Sequence, residues 1–113
     1  MGLDQFAWSK ENEEPKFQWR KHAKLQEFME RKWHEKSEEG FNCVDLYLDL
    51  EDIKELEKAI INNNMPESEG GFFYGHQFQD ESAKEYREQD LEFCKWAKNE
   101  ILNGRNVIYH CWW

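Results

Sequence analysis

The chain has 113 residues, enough for one domain built around one hydrophobic core. Charged residues make up 35% and hydrophobic residues only 39%, a balance that approaches the composition of disordered proteins. Aromatic residues, at 16% of the chain, argue instead for a compact fold, because each ring buries a large apolar area. The net charge of −9 excludes a general coating role on DNA or RNA, which requires excess positive charge.

The expected cellular environment follows from what the sequence lacks. No apolar run approaches 18 residues, so we expect no membrane-spanning helix and no membrane partner. The first 14 residues are too polar for a secretory signal peptide. Cys43, Cys94 and Cys111 are odd in number and lack C-x-x-C spacing, which predicts three free thiols and a reducing cytoplasm.

The N-terminal part of the chain predicts a loose β-hairpin. Residues 3–8 alternate in polarity, with Asp4, Phe6 and Trp8 on one face, as in a short strand. Residues 16–19 follow a polar loop and can return beside the first strand.

Two amphipathic helices, separated by a strand, are predicted next. The helical period runs from about residue 20 to about residue 36, and residues 42–48 have the pattern of a strand. Asp49 is then a predicted N-cap, because acidic residues follow it in the first helical turn. The core positions expected from these helices are Leu25, Phe28, Ile53, Leu56 and Ile60.

The last third of the chain predicts a strand, a helix and a strand. Residues 72–74 are three aromatics between glycines, a pattern that predicts a short strand. A third helix is predicted to begin between residues 81 and 89, with Leu91 and Ile101 buried, and to end at Gly104.

Alternation in the last strand, residues 105–113, places His110 and Trp112 on the face opposite to Tyr109 and Cys111. The resulting order is β-β-α-β-α-β-α-β. It predicts an α+β fold in a single domain, residues 1–113, with about five mainly antiparallel strands packed with three helices.

Charge is divided between two regions. Residues 16–36 carry seven Lys and Arg against three Glu, a net charge of +4, whereas residues 49–104 carry a net charge of −8. A basic first helix on an acidic body is explained by a solvated helix face with pairs such as Glu27–Arg31. The same basic segment is also a candidate anion site.

The WRKH segment, residues 19–22, carries that second hypothesis. Trp19 could stack on an aromatic ligand, while Arg20, Lys21 and His22 could donate to a phosphate near the start of the helix. The choice between a ligand site and a solvated helix face stays open at the level of sequence.

Two further aromatic segments are candidate binding elements. In GGFFYG, residues 70–75, glycines could admit a ligand to the backbone while Phe73 and Tyr74 form a wall, although a tight core strand explains the same pattern. The chain ends in paired tryptophans, and Trp112 would be exposed if the opposite face of its strand is core. Core packing alone is the competing explanation.

Neither metal binding nor catalysis has a sequence signature. The histidines and cysteines lack zinc spacing, and pairing of His76 with Cys43 or Cys94 is supported by no local motif. The GGFFYG run lacks the Lys and Ser/Thr of a Walker loop. We therefore predict no metal, no cofactor and no catalytic residue, and a binding protein rather than an enzyme.

Three motifs together resemble a family of small uncharacterised proteins from phages and bacteria. They are the opening MGLD, the WRKH segment before the first helix, and GGFFYG followed by a terminal Y-x-x-W. Members of this family are sometimes labelled phosphoglycerate kinase, but that enzyme closes two domains over two substrates and is several times longer. The resemblance implies a phage-type accessory protein that acts inside a bacterial host.

Two functions are consistent with these features. The first is a non-enzymatic protein that sequesters a small anionic, nucleotide-like ligand. Its predicted ligand-binding residues are Trp19, Arg20, Lys21, His22, Phe73, Tyr74 and Trp112. The alternative is an acidic interaction module that binds and inhibits a host protein, steered by charge complementarity. A small hydrolase or transferase is a third class, and homo-oligomerisation is left open.

The arrangement of the aromatic residues separates the first two functions. Clustering of Trp19, Arg20 and Tyr74 around one concavity would favour the small ligand. A flat aromatic patch ringed by carboxylates would favour a protein partner.

Overall fold

A computed structural model describes residues 2–9, 15–68 and 78–113 of the chain. These residues form four strands and four helices. In chain order they are β1 (Asp4–Ser9), β2 (Phe17–Arg20), α1 (Ala23–Lys36), β3 (Asp45–Leu48), α2 (Leu50–Ile61), α3 (Gln79–Glu85), α4 (Arg87–Leu102) and β4 (Val107–Trp112). The predicted α+β class is confirmed.

The four strands form one antiparallel sheet in the order β2-β1-β4-β3. β1 and β4 lie at its centre, in a register that pairs Phe6 with His110 and Ala7 with Tyr109. β2 continues the sheet from β1 through the predicted hairpin, and β3 pairs with the other side of β4. The sheet therefore joins the first and last described strands of the chain.

The hydrophobic core lies between one face of this sheet and the helices. Alternation along the strands turns every second side chain inward, as in a sheet covered on one side. The inward strand residues include Ala7, Trp19, Leu46, Val107 and Tyr109. The predicted helix positions Leu25, Phe28, Ile53, Leu56 and Ile60 are all buried in the same cluster.

Helix α2 begins where the sequence predicts. The Asp49 side chain accepts a hydrogen bond from the Asp52 N–H at 2.8 Å, and the Asp52 side chain accepts one from the Asp49 N–H at 3.0 Å. This reciprocal capping box satisfies two backbone donors that a helix start otherwise leaves free.

The strand and helix counts differ from the prediction of about five strands and three helices. The predicted strand at 72–74 lies outside the described residues, within which four strands are present. β3 begins at Asp45 rather than at residue 42, because Cys43 adopts a φ of 61° that breaks the extended backbone.

The predicted third helix is α4, which begins at Arg87 within the predicted window, and the short helix α3 that precedes it, separated at Tyr86, is an additional element. α4 turns Asp90, Phe93, Cys94 and Ala97 inward, while Leu91 and Ile101 are only half-buried. The predicted burial of Leu91 and Ile101 is therefore correct only in part, since both pack against the core without being fully enclosed. The apolar period did not include Asp90 in the buried face because it treated acidic residues as solvent-facing, whereas Asp90 is buried against Trp19 and His22.

Candidate functional site

The WRKH segment forms the corner between β2 and α1. Lys21 adopts a φ of 53°, and its N–H donates to the Leu3 carbonyl at 2.9 Å. His22 is the N-cap of α1 but makes no side-chain capping bond. Its backbone is held instead by Gln5, whose Oε1 accepts from the His22 N–H at 2.9 Å and whose Nε2 donates to the His22 carbonyl at 3.1 Å. Gln5 therefore fixes the corner from β1.

Trp19 and His22 point into the protein and meet at Asp90 of α4. Trp19 Nε1 donates to Asp90 Oδ1 at 2.8 Å, and His22 Nε2 lies 2.7 Å from Asp90 Oδ2. All three side chains are buried, with Trp19 and Asp90 only 1% exposed. A buried carboxylate requires such partners, so this triad is a structural clamp between β2, α1 and α4.

Aromatic rings surround the clamp. Tyr86 stacks on His22 with ring centroids 5.2 Å apart, and Phe93 meets the Trp19 ring edge-on at 5.3 Å. Tyr109 lies on another side of Trp19, at 6.4 Å. The Trp19 ring therefore faces the core, not the solvent.

A second buried network connects the sheet to α1. Gln5 Nε2 donates to the Tyr109 hydroxyl at 2.8 Å, and that hydroxyl donates to Gln26 Oε1 at 2.7 Å. Gln26 Nε2 in turn donates to Cys111 Sγ at 3.3 Å. Burial raises the pKa of Tyr109 well above its usual range and raises the pKa of Cys111 to about 12. The Cys111 thiol is therefore protonated at neutral pH, a poor state for a nucleophile.

The other face of the sheet carries a group of aromatic side chains around Ile108, here called the aromatic face. Its members are Phe6, Trp8, Tyr47, Ile108, His110 and Trp112. Phe6 and Trp112 have ring centroids 4.6 Å apart, and His110 lies 5.7 Å from Trp112. Trp112 is 43% exposed and Tyr47 is 46% exposed, so large rings reach solvent here.

Charged pairs flank the aromatic face. Asp4 Oδ1 accepts a hydrogen bond from Arg20 Nη1 at 2.9 Å, and the strand register pairs Asp4 with Trp112 on its other side. Asp45 is paired with His110 in the strand register, and its Oδ1 lies 2.9 Å from His110 Nδ1. Two carboxylates thus stand beside the exposed rings.

Both edge strands of the sheet have backbone groups that bind helix side chains. On β2, the Arg20 N–H donates to the Tyr86 hydroxyl at 3.2 Å, and Gln89 Nε2 donates to the Gln18 carbonyl at 2.7 Å. On β3, Lys36 Nζ donates to the Tyr47 carbonyl at 2.8 Å. These bonds compete with strand addition at either edge.

The predicted ligand-binding residues do not form one described pocket. Trp19 and His22 lie in the core, whereas Arg20 and Trp112 lie on the side of the aromatic face. The Lys21 side chain lies against Gly2. Phe73 and Tyr74, with the rest of GGFFYG, lie outside the described residues.

Sequence reasoning missed Asp90, Gln5 and the aromatic face as a unit. The alternation of Phe6 and Trp8 in β1, and of His110 and Trp112 in β4, was visible in the sequence. What the sequence could not supply was the register that places the two strands side by side. Asp90 gave no signal, because an acidic residue on a helix is usually exposed.

No family model, curated protein or solved structure matches this chain. The resemblance to small phage and bacterial proteins therefore stays a prediction. Among the described helices, none has the length and apolar composition needed to cross a membrane. Over the same described ranges, no group of three His, Cys, Asp or Glu side chains could hold a metal ion.

Proposed function

We propose that the chain is a non-enzymatic interaction module whose aromatic face binds a basic protein partner. The observation that carries this proposal is the cluster of contacting aromatic side chains on this face of the sheet, with Trp112 and Tyr47 nearly half exposed. Tryptophan and tyrosine are enriched at the centres of protein interfaces, where they supply much of the binding energy. The carboxylates of Asp4 and Asp45 border the rings.

The geometry favours a protein over a small ring ligand at this face. The aromatic side chains are spread over three neighbouring strands and offer a wide contact area, whereas small-molecule sites are usually concave. Trp19, the ring expected to stack on a nucleotide, is hydrogen-bonded to Asp90 and packed against core aromatic rings. The edge strands are engaged by helix side chains, so the partner would dock on the face rather than extend the sheet.

The net charge of the chain favours a basic partner. The net charge of −9 attracts a positively charged surface over long distances and repels a second copy of the same chain. Lysine and arginine side chains also gain cation–π contacts with exposed tryptophan. In the setting implied by the family resemblance, the partner would be a basic host protein in the bacterial cytoplasm, which the module inhibits.

The test is capture of a partner followed by measurement of its affinity with matched variants. Purified protein is used at low salt to isolate a binder from bacterial lysate, and the purified binder is then titrated against the wild type and each variant. Trp112→Ala is expected to weaken binding about tenfold or more, since each tenfold corresponds to about 1.4 kcal/mol. Leu102→Ala is the control, because Leu102 is 72% exposed at the end of α4 and does not belong to the aromatic face.

Three outcomes distinguish a partner bound at the aromatic face from a partner bound elsewhere and from self-association. Loss of affinity with Trp112→Ala, none with Leu102→Ala, and weaker binding at high salt support the proposal. A partner that binds Trp112→Ala with the affinity of the wild type would overturn the proposal. Self-association of the wild type that Trp112→Ala abolishes would also overturn it, because the occupant of the face would then be a second copy.

A further inference from the structure

A second candidate site lies among the helices and shares no residue with the aromatic face. A pocket of about 330 Å³ opens between α1, α3, the start of α4 and the chain after α2. Its lining includes three cationic side chains, Lys24, Lys84 and Arg87, against one carboxylate, Asp80. Counted over the described lining residues, this is a local charge of +2, which is unusual on a chain whose net charge is −9.

The cation of Lys24 is held beside a weak counterion. Lys24 Nζ lies 2.8 Å from Asp80 Oδ1, yet the Lys24 side chain is 16% exposed and that of Asp80 is 81% exposed. An ion pair whose acid is almost fully solvated contributes little, because water screens the carboxylate. An incoming anion can therefore replace Asp80 at Lys24 at small cost.

Arg87 supplies a second cation that is already fixed in place. Its Nη1 donates to the Ile60 carbonyl and to Asn63 Oδ1, and its Nη2 lies 3.5 Å from the Ile61 carbonyl. These acceptors are at the C-terminal end of α2, where a positive charge is favourable. A guanidinium has five N–H donors in a rigid fork, so part of the fork is not used by these contacts.

Lys84 and the apolar lining complete the pocket. Lys84 is exposed and makes no ion pair with any residue that the structure describes. An apolar wall beside the three cations is formed by Ile60, Met65 and Ala83. The flexible methionine can adapt to the body of a ligand, and a volume near 300 Å³ is at the small end of ligand sites.

We propose that this pocket binds a small phosphomonoester with an apolar or ring-containing body, no larger than a mononucleotide. Lys24, Lys84 and the free part of the Arg87 fork would take the phosphate, and the apolar wall would take the body. Charge-assisted bonds to phosphate are stronger than the Lys24–Asp80 contact that they replace. The proposal stands independently of the aromatic face, since the two sites share no residue.

The test uses phenyl phosphate and AMP as probes, with phenol and adenosine as uncharged controls. Titration calorimetry of the full chain should detect the two phosphates and neither control. Lys84→Gln should weaken binding about fivefold to tenfold, through loss of one charge-assisted contact. Lys95→Gln is the matched control, because Lys95 is an exposed lysine of α4 outside the pocket.

A second variant guards against indirect effects. Lys24→Gln removes the second lysine cation, and the Lys24→Gln, Lys84→Gln double variant should abolish binding while the melting temperature changes little, since the partner of Lys24 is a solvated carboxylate. Failure of the wild type to bind either phosphate at about 5 mM would overturn the proposal, as would binding that the double variant retains. Loss of binding with Lys95→Gln would also overturn it, because bulk charge would then explain the affinity.

Discussion

At the scale of single residues, Asp90 explains why two predicted ligand-binding side chains lie inside the protein. Its two carboxylate oxygens take one partner each, Trp19 Nε1 and His22 Nε2. A buried carboxylate without partners would be costly, and the two side chains are buried with it. The WRKH segment is therefore explained first as the strand-to-helix corner that sets this clamp.

The clamp gives the first prediction. Asp90→Asn keeps the shape but replaces one carboxylate oxygen with an NH₂ group, which accepts no hydrogen bond, so the amide cannot reproduce both contacts of the carboxylate. We expect a loss of about 1–3 kcal/mol in the free energy of unfolding, the cost of leaving a buried polar group without a partner. Urea denaturation followed by tryptophan fluorescence measures it. Glu92→Gln, at an exposed position of the same helix, is the control, and equal midpoints for both variants would contradict the role assigned to Asp90.

The buried thiols give a prediction for alkaline pH. All three cysteines are free, and burial raises the pKa of Cys94 and of Cys111 to about 12 from a usual value near 9. The unfolded chain releases these protons first, so stability is intact below about pH 9 and falls as the pH rises toward 12. The slope should approach roughly 1.4 kcal/mol per pH unit for each thiol.

The measurement is the free energy of unfolding between about pH 8 and about pH 10.5. The Cys94→Ala, Cys111→Ala double variant should show a shallower decline than the wild type. Cys43→Ala should keep the wild-type slope, because Cys43 is exposed. A decline that is the same in all three proteins would show that other groups cause it.

At the scale of elements, α2 is the segment that the sequence predicts most completely. Its N-cap at Asp49 and its buried positions Ile53, Leu56 and Ile60 follow from local chemistry, and both are confirmed. The α3–α4 break was not predictable, because Tyr86 lies in a helical pattern without Pro or Gly. The break has a tertiary cause that local sequence does not encode: the Tyr86 ring stacks on His22 and its hydroxyl accepts from the Arg20 N–H.

Two side chains of α2 give a matched test of the core. Leu56 is fully buried and Ile61 is 55% exposed. Leu56→Ala should cost about 2–5 kcal/mol of unfolding free energy, since the cavity is only partly filled by relaxation. Ile61→Ala should stay within about 0.5 kcal/mol, as surface changes usually do. A cost for Leu56→Ala below about 0.5 kcal/mol would mean that the stripe does not form the core.

At the scale of the whole molecule, the sheet decides which surfaces remain for function. Sequence predicted the faces of β1 and β4 correctly, because alternation has a period of two. It could not predict the order β2-β1-β4-β3, which depends on contacts between distant parts of the chain. The aromatic face is the product of that order, since Phe6 and Trp112 lie on different strands.

The pairing of β1 with β4 also governs when the chain can fold. β1 spans Asp4–Ser9 and β4 spans Val107–Trp112, so the central ladder closes a loop that contains almost every described residue. During synthesis β1 leaves the ribosome long before its partner exists, with Phe6 and Trp8 unprotected. Contacts between residues so far apart in sequence slow folding and leave intermediates that are prone to aggregate. A nascent chain halted after α4 should therefore depend on chaperones, and addition of β4 should release it.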